Sequence, residues 1–68
     1  MTLTEFINML ELMGFEHKRH MFALKGVRVY IKANNVDIHI KQRIQSFYFA
    51  ALHNALNKIT QELAHEPK

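Results

Sequence analysis

The amino-acid sequence predicts an α+β domain ordered helix, strand, strand, strand, helix, in which a three-stranded antiparallel meander carries both helices on one face. Three observations predict it. Apolar residues recur at helical spacing near the start, alternate with polar ones from Met21 to Lys41, and return to helical spacing after Lys41.

Thr2 and Glu5 have the spacing of a capping box, in which the hydroxyl accepts from an amide three residues on and the carboxylate reaches back. Leu3, Phe6, Ile7, Leu10 and Met13 share one face behind it. Gly14 follows where a helix ends in a left-handed residue, so the first helix is expected from about Leu3 to Met13.

The clearest alternation runs from Val27 to Lys41 and reads as a hairpin about Asn34-Asn35, a pair that tolerates the positive φ of a type I′ turn. That turn places Ile31 opposite Ile38 and Val29 opposite Ile40 on an apolar face. On the other face it sets Lys32 against Asp37, Tyr30 against His39 and Arg28 against Lys41. A second tight turn at Lys25-Gly26 sets Leu24 against Val27 and Phe22 against Val29 and adds the third strand. Phe15 and Phe22 differ in parity, so a bulge or bend is expected between them, and residues 15–20 receive no assignment.

After Lys41, Ile44, Tyr48, Ala51, Leu52, Ala55, Leu56, Ile59 and Leu63 form one stripe of a long second helix, with Phe47 and Phe49 at its edges. The stripe is wider than three strands cover. A homodimer through this helix is therefore expected, with Phe49, Leu52 and Leu56 in the contact. The domain is expected to span residues 1–64, and the aperiodic His-Glu-Pro-Lys of 65–68 to fray.

A chain of 68 residues supports one core and buries roughly 60% of its unfolded surface. With 49% hydrophobic residues and five Phe, the core can close. Cysteine is absent, which excludes a disulfide framework and a thiolate metal site. No leader pattern opens the sequence and no apolar run approaches the ~20 residues of a membrane span, so a cytoplasmic address without membrane partners is expected. Nine Lys and Arg against six Asp and Glu give a formal charge of +3, a modest bias toward an anionic partner.

His17 and His20, three apart in a strand, point to opposite faces with no carboxylate cluster nearby, so no metal and no cofactor are expected. Glu5, Glu11, Glu16, Asp37, Glu62 and Glu66 are scattered, and none forms a pair suited to acid–base chemistry, so no catalytic residue is assigned. The polar sheet face interleaves cations with an aromatic ring. Arg28, Tyr30, Lys32, His39 and Lys41 are the expected nucleic-acid contacts, with Lys18, Arg19 and His20 as further basic contacts. Equal weight goes to an ordinary solvated face, on which lysines guard against strand aggregation.

The order of elements resembles the double-stranded-RNA-binding-domain fold. Lys41-Gln42-Arg43 stands where that family's second helix opens on a basic cluster, and Ala50-Ala51-Leu52 resembles its Ala-rich helix. Within that fold, Gly14-Phe15 and His20 in Lys18-Arg19-His20-Met21-Phe22 are similar to the HicA-type mRNA interferases, over roughly the first half of the chain. The resemblance implies RNA as the ligand and, through His20, its cleavage. The Gly-Ser that precedes the family's catalytic His is not present. The chain is therefore expected to be a non-catalytic domain that binds an RNA or DNA backbone. The alternative from another class is a small inhibitor or adaptor from a phage or mobile element that blocks a host nuclease or a CRISPR effector, with a HicA-like ribonuclease behind both.

Overall fold

The computed structural model describes residues 1–64. Helix α1 (Leu3–Leu12) opens on the expected capping box: Glu5 N–H donates to Thr2 Oγ1 at 3.1 Å and Thr2 N–H donates to Glu5 Oε1 at 2.8 Å. It closes in a Schellman motif, because Gly14 at φ 100° donates to the Glu11 carbonyl while Phe15 donates to that of Leu10. Leu10 and Phe15, the positions at which such a cap favours apolar residues, are both buried in the core.

Five strands follow as one antiparallel meander in chain order: β1 (Glu16–His17), β2 (Met21–Leu24), β3 (Val27–Ile31), β4 (Asn35–Ile40) and β5 (Arg43–Tyr48). A 3-10 turn at Phe49–Ala51 leads into helix α2 (Leu52–Ala64). The fold is α+β, with five strands in place of the expected three. Where a helix was expected from Lys41 onward, residues 43–48 form a strand and the helix begins only at Leu52. The expected tail at 65–68 lies outside the described residues.

Every strand connection is a two-residue turn, and such a turn exchanges odd for even positions on each face. At Arg19-His20, Lys18 N–H donates to the Met21 carbonyl and Glu16 pairs with Ala23. Phe15, on the odd series, thereby shares a face with the even Phe22 and Leu24, so the expected bulge is not needed. At Lys25-Gly26 both residues have positive φ, 50° and 82°, as a type I′ turn requires, and Leu24 pairs with Val27 and Phe22 with Val29 as expected.

The next turn differs from expectation. Its central residues are Ala33-Asn34, since Lys32 N–H donates to the Asn35 carbonyl at 2.8 Å, and Ile31 pairs with Val36 and Val29 with Ile38. The pairing is thus two residues from the Asn34-Asn35 register. A shift of two preserves parity, so each side chain keeps its predicted face. At Lys41-Gln42 only Lys41 has positive φ, 56°.

Inward positions Phe22, Val27, Val29, Val36 and Ile38 pack with Phe6 and Leu10 of α1 and with Leu52, Ala55 and Ile59 of α2 in a single core. Both helices therefore cover the same sheet face, and each fully buried large side chain contributes about 1.5–3 kcal/mol. Among the described residues no helix is long and apolar enough to cross a membrane.

Candidate nucleic-acid interface

Because both helices occupy one face, alternation leaves the other face uncovered. Ala23, Arg28, His39 and Ile44 form one row across it. Met21, Tyr30, Asp37 and Ser46 form the next, and Asn35 and Tyr48 a third. The sheet therefore gathers four of the five expected contacts, Arg28, Tyr30, Lys32 and His39, around β3 and β4. Their partners differ from expectation by the two-residue shift: Arg28 lies opposite His39, and Tyr30 opposite Asp37. The Tyr30 and His39 rings meet diagonally, with centroids 4.5 Å apart and planes at 49°.

Two carboxylates share this face and both are engaged. Asp37 Oδ1 accepts from Asn35 Nδ2 at 2.7 Å and from Ser46 Oγ at 2.6 Å, and Lys32 Nζ stands 3.9 Å from Asp37 Oδ2. Glu16 Oε1 lies 3.1 Å from Lys18 Nζ at the β1 edge. Arg28 is exposed and makes no ion pair among the described residues, so its charge is available to an anion.

Lys41 does not join the face to which its parity was assigned. It turns the chain between β4 and β5 and lines an open hollow of about 600 Å³ on the helix side, beside Ile40, Arg43 and Lys58. A turn residue at positive φ leaves the pleat, so strand alternation no longer governs where it points. Lys18, Arg19 and His20 occupy the exposed β1–β2 corner. His17 is stacked on Phe22, with centroids 4.4 Å apart and planes at 9°. No group of three or more His, Asp or Glu gathers among the described residues.

Of the three residues assigned to self-association, Leu52 is 2% exposed within the core, and Phe49 and Leu56 pack against that core. The stripe that looked too wide is divided between two elements. Its first members, Ile44 and Tyr48, are β5 residues on the open face, 62% and 74% exposed. Sequence reasoning missed them as sheet residues because Ile44, Tyr48 and Leu52 also satisfy helical spacing, and Lys41-Gln42 carries no Gly or Asn to announce a turn.

Compared with known protein families, curated proteins and solved structures, the chain matches none of them.

Proposed function

We propose that the protein is a small non-catalytic domain that binds nucleic acid on the open sheet face. The observation that supports the reading is the cluster of Arg28, Lys32, Tyr30 and His39 around β3 and β4, with the neighbouring Asp37 already tied to Asn35, Ser46 and Lys32. Cations on adjacent strands engage phosphates, and a partly exposed ring pair lies against sugar or base. Lys18, Arg19 and His20 add an exposed basic corner at the β1–β2 turn. Nothing in this arrangement supplies the acid–base pair that strand scission requires, so the reading is of binding without cleavage.

The test is a fluorescence titration of labelled single-stranded and duplex oligonucleotides at several salt concentrations. Affinity should fall steeply with salt, and Arg28→Glu and Lys32→Glu should each weaken binding to unrelated sequences alike. His20→Ala, in the turn at the margin of the surface, should leave binding largely intact and yield no difference in RNA integrity. Absence of binding at low salt discards the reading.

A second reading, a protein-blocking inhibitor or adaptor, draws on a different surface. Met1, Met9 and Leu12 are 48%, 39% and 81% exposed on and beside α1, where Met1, Met9 and His53 line a shallow groove. Exposed apolar side chains of that kind suit a protein partner better than a phosphate backbone.

A further inference from the structure

We propose that β5 pairs with β5 of a second copy of this chain, antiparallel about a two-fold axis at Ser46, joining two sheets edge to edge. The two edges of the meander differ. β1 is two residues long and is followed by Lys18 and Arg19, whereas β5 presents six residues. A long edge without a covering element is a template for another strand.

The direction of its hydrogen-bonding groups fixes the register. Phe49 N–H donates to the Asn34 carbonyl, so the odd positions at this end point toward β4. With a period of two, Ile44, Ser46 and Tyr48 direct their N–H and C=O groups outward. Antiparallel strands must oppose residues whose groups face each other. Among the registers available to β5 against itself, one opposes all three: Ser46 with its own copy, and Ile44 with Tyr48 of the second copy on either side. That pairing makes roughly six ladder bonds, two for each opposed pair.

Side chains agree with the backbone. Ile44, Ser46 and Tyr48 all lie on the open face, so the register continues that face from one copy into the next. Ile44 and Tyr48, 62% and 74% exposed in the single chain, become cross-strand aliphatic–aromatic pairs. β5 has no carboxylate, and its one cation, Arg43, lies at the end of the strand, so antiparallel pairing sends the two Arg43 side chains to opposite ends. The union closes on itself and leaves only the short β1 edges outside. It does not rest on the nucleic-acid reading.

Analytical ultracentrifugation should give twice the chain mass of 8.0 kDa. Ser46→Lys sets like charges directly opposite each other, partly offset by Asp37 of each chain, and should raise the dissociation constant about threefold to fivefold, with the fold followed by circular dichroism. Because the chain has no cysteine, Ser46→Cys introduces a single thiol. An opposed hydrogen-bonded pair has Cα atoms about 5.5 Å apart, within disulfide range, so oxidation should cross-link this variant while Gln42→Cys stays uncross-linked. A wild type that is monomeric at about 100 micromolar overturns the proposal, since roughly six ladder bonds and two cross-strand pairs should hold two copies together at that concentration. So does a dimer whose constant Ser46→Lys leaves unchanged and which dissolves on Phe49→Glu, or one in which Ser46→Cys fails to cross-link. Should Ser46→Lys prevent folding, the cross-link decides alone.

Discussion

On the covered face of the sheet Val29, Val36 and Ile38 are almost wholly removed from water, whereas Arg28, Ile44 and Tyr48 on the open face are exposed. The two sets belong to one meander and differ by single steps along its strands. Stability is thus concentrated in one parity class of each strand, while the other class is left to solvent. A sheet with helices on one side makes this division at every residue, and single substitutions test it position by position.

The largest effect is expected on the covered side. Ile38 is 1% exposed among apolar neighbours, so Ile38→Asp buries a carboxylate with no partner and should cost at least ~3 kcal/mol. In a domain this small that amounts to loss of the thermal transition in circular dichroism. Arg28→Ala, on the opposite face of the neighbouring strand, should shift stability by no more than about 0.5 kcal/mol. Equal effects would mean that the two faces are not divided as described.

The turns that set the faces come next. Gly26 has φ +82° and nothing within 4 Å of an added Cβ, so Gly26→Ala meets backbone strain alone and should cost about 1–2 kcal/mol. Lys41 carries a similar strain at φ 56°, and Lys41→Gly should relieve it, stabilising by up to about 1 kcal/mol after the extra unfolded-state entropy of Gly. Opposite signs in chemical denaturation are the expected outcome.

These turns also explain what was legible in the sequence. The capping box, Gly14 and the Lys25-Gly26 hairpin each combine a residue type with a spacing that admits one conformation, and each stands as read. The Asn34-Asn35 hairpin carried its faces correctly and its pairs wrongly, because alternation fixes parity while two neighbouring turn positions satisfy the same pattern. Phe15 is in phase once the parity exchange at the Arg19-His20 turn is counted, and no Gly or Asn in the sequence marks that turn. β5 was lost for a different reason. Its apolar residues lie on both faces, Phe47 inward and Ile44 and Tyr48 outward, which erases strand alternation and leaves a spacing that a helix also fits. Four of the five expected contact residues, Arg28, Tyr30, Lys32 and His39, keep the face that alternation gave them, since only Lys41 sits in a turn that leaves the pleat.

A smaller effect is expected at the start of α1. The backbone and hydroxyl hydrogen bonds with Thr2 hold the Glu5 carboxyl below its ordinary value of 4.5. A lowered folded-state value stabilises the domain fully above the unfolded value, and that contribution is lost as pH falls through the folded value. The melting difference between wild type and Glu5→Gln should therefore be present at neutral pH and be lost on acidification through the lowered folded-state value. A difference that persists in acid would point to packing of the Glu5 stem instead of its charge.

The smallest effect on stability is paired with the most informative effect on binding. Arg28 and Lys41 are both exposed cations, and the sequence pattern placed both on one face. The structure puts Arg28 in the row with His39 and Lys41 in a turn beside the hollow on the helix side. Neither Arg28→Glu nor Lys41→Glu removes a buried group, so both should melt within about 0.5 kcal/mol of wild type. They remove the same charge from the protein, and a long-range electrostatic effect would weaken nucleic-acid binding equally in both. Contact at the open face predicts a split. Arg28→Glu loses a phosphate contact and should flatten the log–log salt dependence by about one unit, whereas Lys41→Glu should keep the wild-type slope and lose only modest affinity at low salt. Titrations at four or five salt concentrations separate the two outcomes. Parallel lines for both variants would assign the binding to net charge and remove the open face from the account.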